Sequence, residues 1–420
     1  MIIPSFKGIN NRLSDTALPM PSREDARLPL RNAVNVDIDN AGNIVMPGWG
    51  TVKRYTATDT HSWYEFQDGL GYGLFVDDGN LKRLNLDYTA TVLKAVQNIP
   101  MSYAVLNDKV FFSNGIDCGI YDNLGIAEWG ITNPPRQPDP TSTTTGGMYA
   151  GDYRVAITWM TGSGTHFQES GTFNSTRVTV TDGGGIRLTN FPTPPDYVDQ
   201  IAVYVSAVNS QDLYLYDEYP ASTSEVFIRY NVGTVKLQTQ FATKPEPGLC
   251  LTVHNGGLFW FKDNLIGYTE PHAPYLYRAG NFFDMEDEVL AIVSIKTGPL
   301  YAQTTKGLYA INSIYNPEVP AQPTKIRVYG GCKLYNVAYH PDNNEACIWT
   351  DAGFTRITGE GIQDLNANEF ASPHFSVGAI AYVESNGISK VVFVGKDGTK
   401  NALQYPEYSA METIRIGREF

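Results

Sequence analysis

The chain has 420 residues, 42% of them hydrophobic, and a formal net charge of −13. This length accommodates two or three domains, and the apolar stretches fall well short of the ~18 residues that a membrane-spanning helix needs. The acidity, together with the lack of any Lys/Arg-rich run, argues against tight binding of duplex DNA. The first residues, Met1 to Lys7, lack the basic start and apolar run of a signal peptide, so we expect the protein to be made and kept in a cytosol.

The sequence predicts one β-strand after another. It contains 39 Gly and 25 Pro, and short alternating runs bounded by Gly, Asn and Asp are typical of antiparallel strands and hairpins. The four cysteines form no CxxC pair, which argues against a zinc site and predicts small buried hydrophobic side chains in a reducing compartment. They are Cys118, Cys250, Cys332 and Cys347.

A hairpin motif recurs in the first part of the chain, residues 1–133. Each copy is a hydrophobic strand that runs into a tight Asp/Asn/Gly turn, and the copies here are 71–81 and 109–115. Degenerate hairpin repeats of this kind are typical of the blades of a β-propeller.

Two Pro-rich segments, Asn133–Pro140 and Thr243–Gly248, delimit the middle of the chain. Proline resists both helix and central strand, so we expect linkers there, the first continuing through the threonines to Gly147. The block 134–245 has the length of one sandwich domain and alternates with a period of two, as in Tyr153, Val155, Ile157 and Trp159. It predicts an immunoglobulin-like or fibronectin-like β-sandwich inserted into the body.

The hairpin motif returns in the third part, residues 246–420. Its four copies are 257–266, 300–309, 346–354 and 391–399. Without the insert, the copies recur about every 35 to 45 residues, the length of a four-stranded blade. The predicted fold class is therefore all-β, with a propeller-like body of five to seven blades; an irregular pair of sandwiches is the alternative.

The sequence lacks the familiar catalytic motifs. The chain has no G-x-S-x-G elbow, no H-E-x-x-H and no G-x-x-x-x-G-K. Its six histidines stand apart in sequence, which favours separate structural roles over a catalytic or metal site. They are His61, His166, His254, His272, His340 and His374. We therefore predict no enzyme activity, no cofactor, and no catalytic, cofactor-binding or metal site residue.

Two acidic segments need their own interpretation. The segment 284–288 (Asp284, Glu286, Asp287 and Glu288) could supply the carboxylates of a glycosidase, but we predict a charged loop before the strand 289–293. Asp37 to Asn43 begins like a calcium loop, yet the twelfth position is Gly48, where a bidentate Glu is required. A hairpin turn is the preferred interpretation there.

Three segments carry a resemblance to a known family. The opening at 30–38 and 42–49, the stretch 147–158, and the stretch 291–311 with its Thr304-Thr305-Lys306-Gly307-Leu308-Tyr309 run resemble virion propeller proteins of tailed bacteriophages. The second of these is similar to the first strands of that family's inserted Ig-like domain. Met46-Pro47 stands where an Arg is common in the opening turn.

The resemblance implies a role and no functional residue. Such proteins are tail nozzles or hubs, usually six copies in a homo-oligomeric ring below the head-to-tail adaptor or portal, around the DNA channel. The implied partners are further copies of the chain, the adaptor, tail fibres or a needle, and genomic DNA that passes without specific binding. Insertion of the protein into a membrane is not expected. The expected location is the virion tail, assembled in the host cytoplasm.

Charge leads to a further expectation for such a ring. The block 134–245 contains seven Lys/Arg and ten Asp/Glu, a net of −3, so the remainder carries −10. Cationic walls would hold DNA by releasing its counterions, so we expect a mainly negative lumen with the insert pointing outward. The alternative is that the acidity only keeps the protein soluble.

Two other classes of function stay open at this point. A receptor- or carbohydrate-binding tail protein would show an exposed aromatic groove. A glycan depolymerase would show a pocket with two carboxylates roughly 5 to 9 Å apart.

Overall fold

The computed structural model describes residues 54–66, 71–122, 124–230, 233–316, 318–331, 337–340, 345–364, 377–385 and 388–396. It also gives the backbone of short strands outside these ranges. Near the N-terminus they are β1 (Phe6–Ile9), β2 (Leu28–Leu30), β3 (Asp37–Ile38) and β4 (Ile44–Val45). β3 pairs antiparallel with β4, as the hairpin interpretation of that segment requires. The rest of the predicted family-like opening, and His374 and Cys332, lie outside the described residues.

The first two blades are antiparallel four-stranded sheets in simple meander order. Blade 1 consists of β5 (Thr60–Glu65), β6 (Gly73–Asp77), β7 (Asn80–Leu84) and β8 (Ala90–Ala95). Blade 2 consists of β9 (Ser102–Leu106), β10 (Lys109–Ser113), β11 (Cys118–Asp122) and β12 (Gly125–Ala127).

The insert follows blade 2 and contains two sheets. One is a three-stranded sheet in the order β13-β17-β20, and the other is a five-stranded sheet, β15-β14-β18-β19 with β16 paired to β14. Their strands are β13 (Asp139–Met148), β14 (Gly151–Thr161), β15 (Gln168–Glu169), β16 (Thr176–Val180), β17 (Gly184–Thr189), β18 (Gln200–Ser206), β19 (Leu213–Pro220) and β20 (Glu225–Ile228).

Three more meanders and a three-stranded sheet follow the insert. Blade 3 has β22 (Leu249–His254), β23 (Gly257–Lys262), β24 (Leu265–Tyr268) and β26 (Phe282–Asp284), and β21 (Ala242–Thr243) pairs outside it with β25 (Tyr277–Arg278). Blade 4 has β27 (Val289–Ser294), β28 (Leu300–Thr304), β29 (Gly307–Ile311) and β30 (Pro323–Arg327). Blade 5 has β31 (Val337–Tyr339), β32 (Glu345–Thr350), β33 (Gly353–Thr358) and β34 (Gly361–Asp364). The sixth sheet has β35 (Val377–Ser385), β36 (Ile388–Lys396) and β37 (Ile414–Ile416).

The fold is thus all-β, a propeller-like body with one inserted β-sandwich. Each of the six copies of the sequence motif falls on the middle strands of a different sheet, from β6 in blade 1 to β36 in the sixth. Tight turns close several hairpins where the sequence supplies residues that accept a positive φ. Asn107-Asp108 joins β9 to β10 at φ 53° and 59°, and Asn255-Gly256 joins β22 to β23 at 48° and 80°.

Neighbouring blades bury their apolar faces against each other. One core joins blades 1 and 2 around Leu74 and Phe112, and the next joins blades 2 and 3 around Phe111 and Trp260. Further cores join blade 3 to blade 4, around Phe259, and blade 4 to blade 5. Blades 2, 3 and 4 therefore each pack against a blade on either side, as expected for a radial array of small sheets.

The insert has a core of its own between its two sheets. Tyr153, Val155, Ile157 and Trp159 all face it, as their period of two predicts. The intervening residues differ from a simple alternation, because Ala156 is fully buried too. It lies in a second, smaller core on the other side of the five-stranded sheet, with Met160, Ala202, Tyr204, Leu213 and Leu237.

The first predicted linker is partly wrong. The run 141–145 belongs to β13, an edge strand of the three-stranded sheet. Pro140 is tolerated in such a strand because one side of an edge strand has no neighbouring strand to receive a backbone N–H. Gln137, just before it, is buried and bonded within the insert. Among the described residues, no helix is long and apolar enough to cross a membrane.

Candidate functional site

The innermost strands of five blades surround a central cavity of about 950 Å³. Its wall includes Tyr64 from blade 1, Asp108 from blade 2, His254 from blade 3, Lys296 beside blade 4 and Tyr339 from blade 5. The lining mixes aromatic, hydroxyl-bearing and aliphatic side chains. Among the described residues of that lining, Asp108 is the sole carboxylate, so this part of the wall does not supply the carboxylate pair of a glycosidase.

Tyr339 links three blades across this cavity. Its hydroxyl accepts a hydrogen bond from the backbone N–H of Ser294 in blade 4 at 3.2 Å. The same hydroxyl lies 3.2 Å from Oγ1 of Thr252 in blade 3. Burial raises the pKa of Tyr339 to about 12, so the phenol stays protonated and can donate to Thr252. The tyrosine therefore bridges the inner ends of blades 3, 4 and 5.

His254 is a buried polar residue of the cavity wall. Its Nδ1 lies 2.9 Å from Oγ of Ser294, and Nδ2 of Asn255 lies 3.1 Å from its Nε2. If the Asn255 amide donates to Nε2, then Nδ1 carries the proton and donates to the serine. That tautomer cannot withdraw a proton from Ser294, unlike the base of a nucleophilic dyad. Burial also lowers the pKa of His254 to about 4, which keeps the ring neutral at pH 7.

Side chains also join blades where backbone pairing ends. β22 departs from regular register between Leu249 and Thr252, and within this bulge Cys250 adopts a φ of 55°. Its thiol lies 3.5 Å from the N–H and 3.6 Å from the carbonyl of Ile292 in blade 4. Burial raises the pKa of the Cys250 thiol to about 11, so the thiol is protonated at pH 7 and can donate to the carbonyl of Ile292.

Blades 2 and 3 are joined in a similar way. Oγ of Ser113 donates to the carbonyl of Gly248 at 2.7 Å, and the N–H of Gly248 lies 3.0 Å from that oxygen. Ser102 accepts from the N–H of Leu251 at 3.1 Å. These bonds are buried or partly buried and span more than a hundred residues of sequence. They join blades 2 and 3, between which the insert leaves the body.

The joint between body and insert is a hydrogen-bonded structure. Gln168 of the insert accepts from the N–H of Gly130 at 2.9 Å and donates to the carbonyl of Glu128 at 3.1 Å. Trp129, between those two residues, is buried and donates from Nε1 to the carbonyl of Pro274 in blade 3 at 2.6 Å. The outgoing chain is thus bonded on one side to the insert and on the other to the body.

The returning chain is fixed beside it. Asn133 donates to the carbonyl of Ala242 at 2.8 Å, which ties the two linkers together. Arg278 in β25 donates to the carbonyls of Gln240 and Gln238 at 2.7 and 2.8 Å. Gly130 has a φ of 81°, and a Cβ there would lie 2.7 Å from Cβ of Lys244, so a larger residue would push the linkers apart. The insert is therefore held on the body by both linkers.

An exposed aromatic group lies on the insert. Phe227 and Tyr230 are 42% and 65% exposed. The Tyr216 and Tyr230 rings pack at a centroid distance of 5.5 Å. The guanidinium groups of Arg187 and Arg229 lie over the Phe227 ring. Nothing in the sequence marks Arg187 and Phe227 as a group, because their exposed positions in β17 and β20 look like any solvent-facing strand position. Tyr230 continues the sequence alternation of Val226 and Ile228 but lies beyond the end of β20 and is exposed.

The five histidines that the structure describes do not converge on one site, although two of them line the same cavity. His254 and His340 both line the central cavity. His166 forms an ion-pair contact of 3.0 Å with Asp122 of blade 2, and His61 contacts Asn98. Within the described residues, no group of three or more His, Cys, Asp or Glu could hold a metal ion.

Residues 285–288 of the acidic segment form the loop between β26 and β27, as predicted, whereas Asp284 is the last residue of β26. Asp287 pairs with Lys306 at 2.7 Å, and Asp284 accepts from Asn264 at 2.7 Å. Both contacts are structural and solvent-exposed. Three cysteines are described and none forms a disulfide; Cys347 is buried as expected, whereas Cys118 and Cys250 are half-buried.

No family model matches the chain, and no curated protein does either. Solved structures with a similar arrangement exist. A streptogramin B lyase is 13% identical, with 80% of this chain and 90% of that chain covered and a TM-score of 0.32. Hsv2 from Kluyveromyces lactis is 9% identical over 80% and 89%, with a TM-score of 0.28. AztD from Citrobacter koseri is 10% identical over 73% and 70%, with a TM-score of 0.29.

Proposed function

We propose that the chain is a structural protein of a tailed-phage virion, without enzyme activity. Copies of it would form a homo-oligomeric ring of six, a nozzle or hub that extends the DNA channel below the head-to-tail adaptor or portal. The ring would hold tail fibres or a needle and let genomic DNA pass during ejection without specific binding. This role is the one that the resemblance of segments 147–158 and 291–311 to phage virion propeller proteins implies.

The hydrogen-bonded joint between body and insert is the observation that most directly supports a structural role. Both linkers are bonded to the body and to each other, through Gln168, Asn133 and Arg278. The bond between Gly130 and Gln168 is buried, so breaking it would leave a desolvated polar group, and the two partly buried bonds restrain the linkers further. An arm fixed in this way can brace a neighbouring copy or carry an appendage.

The side chains that bond across the inner cavity favour a position of each propeller beside the DNA channel, with the DNA outside the propeller. Tyr339 bridges blades 3, 4 and 5, and the His254 and Ser294 side chains bond across the wall. In a ring of copies, the DNA would therefore pass between the subunits. Their bodies account for −10 of the −13 net charge, and acidic walls disfavour the counterion release that holds DNA to proteins.

A second candidate, carbohydrate binding, is favoured by one observation. Phe227 and Tyr230 expose aromatic faces next to Arg187 and Arg229. Such a combination of rings and donors suits a sugar as well as a protein surface. It would make the chain a receptor-binding tail protein.

Two assays on the full-length protein separate these functions. The first incubates it with host capsule and lipopolysaccharide and measures released reducing sugar; the second measures its binding to an array of the same glycans. The structural proposal predicts neither release nor binding, and gold-labelled antibody on intact particles should mark the tail. Sugar release would establish a depolymerase, and saturable glycan binding that is lost in Phe227→Ala would establish the second candidate.

A further inference from the structure

The outward side of the three-stranded sheet of the insert carries two arginines around one aromatic ring, here called the arginine face (Arg187, Phe227 and Arg229). The acidic residues Glu225 and Asp139 lie on the same side of the sheet. Side chains alternate along β17 and β20, so Ile186, Leu188, Val226 and Ile228 enter the core of the insert. Arg187 and Phe227 are direct partners across the two strands and are exposed. Their exposure follows from the strand period and from no local irregularity.

The arginine face is ordered by its own contacts. The guanidinium carbons of Arg187 and Arg229 lie 5.6 and 5.8 Å from the centroid of the Phe227 ring, within the range of cation–π attraction. Arg187 also pairs with Glu225 on the same side of the sheet. Two guanidinium groups against one ring present donors at a fixed spacing, which is how arginine recognises carboxylates.

Strand addition is not the mode of contact that this face favours. The hydroxyl of Tyr216, from the other sheet, donates to the carbonyl of Phe227 at 3.1 Å and accepts from the N–H of Arg229 at 3.4 Å. The side chain of Tyr216 thereby covers the outer edge of β20, where an added strand would need those backbone groups. A partner would instead meet the exposed side chains.

Charge points to the body of the same protein as the partner. The body carries −10, and its loop 285–288 exposes Glu286 and Glu288 between blades 3 and 4. Successive meander blades run their innermost strands in the same direction, so all connections from an outermost to an innermost strand emerge on one side of the propeller. The insert is such a connection, between β12 and β22, and so is the loop 285–288.

We propose that the arginine face of one copy docks on the acidic loop 285–288 of a second copy. This inference rests on the ring of the proposed function and names its contact. Because the two surfaces differ, the contact is heterologous, and repeating it closes a ring if the rotation between copies fits. The pairing brings Arg187 and Arg229 opposite Glu286 and Glu288.

Charge reversal on the full-length chain tests this contact by analytical ultracentrifugation over a range of protein and salt concentrations. Arg187→Glu with Arg229→Glu should weaken self-association by about a hundredfold, since like charges at an interface suppress binding. Glu286→Lys with Glu288→Lys should do the same. Combining all four changes should restore most of the association. The control is Arg177→Glu with Lys236→Glu, which reverses two exposed, ion-paired cations elsewhere on the insert and should leave association unchanged.

Each result bears on the proposal. Rescue in the fourfold variant supports it, and so does weaker association at higher salt. Rings that persist in the Arg187→Glu, Arg229→Glu variant would refute the proposed contact but not the proposal that the protein forms a ring. A wild-type chain that stays monomeric would refute both the contact and self-assembly of the ring. Association that is lost in both double variants and not recovered by combining them, or a glycan that binds the arginine face, would also overturn it.

Discussion

Replacing Trp129 tests whether the exit of the insert is part of the body's core. Its ring is 1% exposed and packs edge-to-face against Phe111 and Trp260, at centroid distances of 5.8 and 5.6 Å. Its Nε1 donates to Pro274. Truncating a buried tryptophan to alanine usually costs about 3–5 kcal/mol. Trp129→Phe should cost less, about 1–3 kcal/mol, mainly because the carbonyl of Pro274 loses its donor.

The assay is urea unfolding followed by circular dichroism, with the exposed Trp63 as the matched control. Trp63 is 52% exposed, so Trp63→Ala should cost about 1 kcal/mol or less. Trp129 belongs to the core shared by blades 2 and 3. Its loss should therefore lower the urea midpoint of the body's transition more than the urea midpoint of the insert's transition. Equal losses in Trp129→Ala and Trp63→Ala would refute the packing argument.

Three further predictions concern the blade contacts and the insert. Tyr382→Phe removes a 2.6 Å bond to the carboxylate of Glu345 between blade 5 and the sixth sheet, and should lower the free energy of unfolding by about 1.5–3 kcal/mol; no change in thermal unfolding would count against that contact. For His254, the folded pKa of about 4 lies below its ordinary value, so the unfolded chain binds the proton more readily and stability falls as the pH drops from about 6.5 to about 4. His254→Gln should flatten that part of the stability curve, and an unchanged slope in urea titrations would contradict it. The fragment 134–245 should fold alone with dispersed amide resonances, yet unfold at lower urea than the insert in the full chain, because Gln168 loses Glu128 and Gly130.

The regular parts of the fold were accessible from the sequence because they depend on local patterns. The period of two in 153–159 placed four side chains in the insert core, and the turn motif located the middle strands of blades 1 to 5 and of the sixth sheet. Local patterns did not predict that Ala156 is buried as well. Its cover comes from Leu213 and Leu237, which lie more than fifty residues away.

The contacts that join the blades could not be predicted in the same way. The Cys250 contact with Ile292 depends on a bulge that no residue type announces, and Tyr339 bonds to Thr252 across 87 residues. The arginine face was hidden for a similar reason, because Arg187 and Phe227 meet only through the register of β17 and β20. The phage role came from resemblance alone and stays a proposal.

The most direct test of the proposed role is a cryo-electron microscopy reconstruction of a purified virion that contains this protein. The account predicts six copies in one ring below the adaptor, with each propeller beside the DNA channel, a mainly acidic lumen and the insert pointing outward. A single copy at the tip of a fibre, or a ring whose lumen is lined by Lys and Arg, would contradict it.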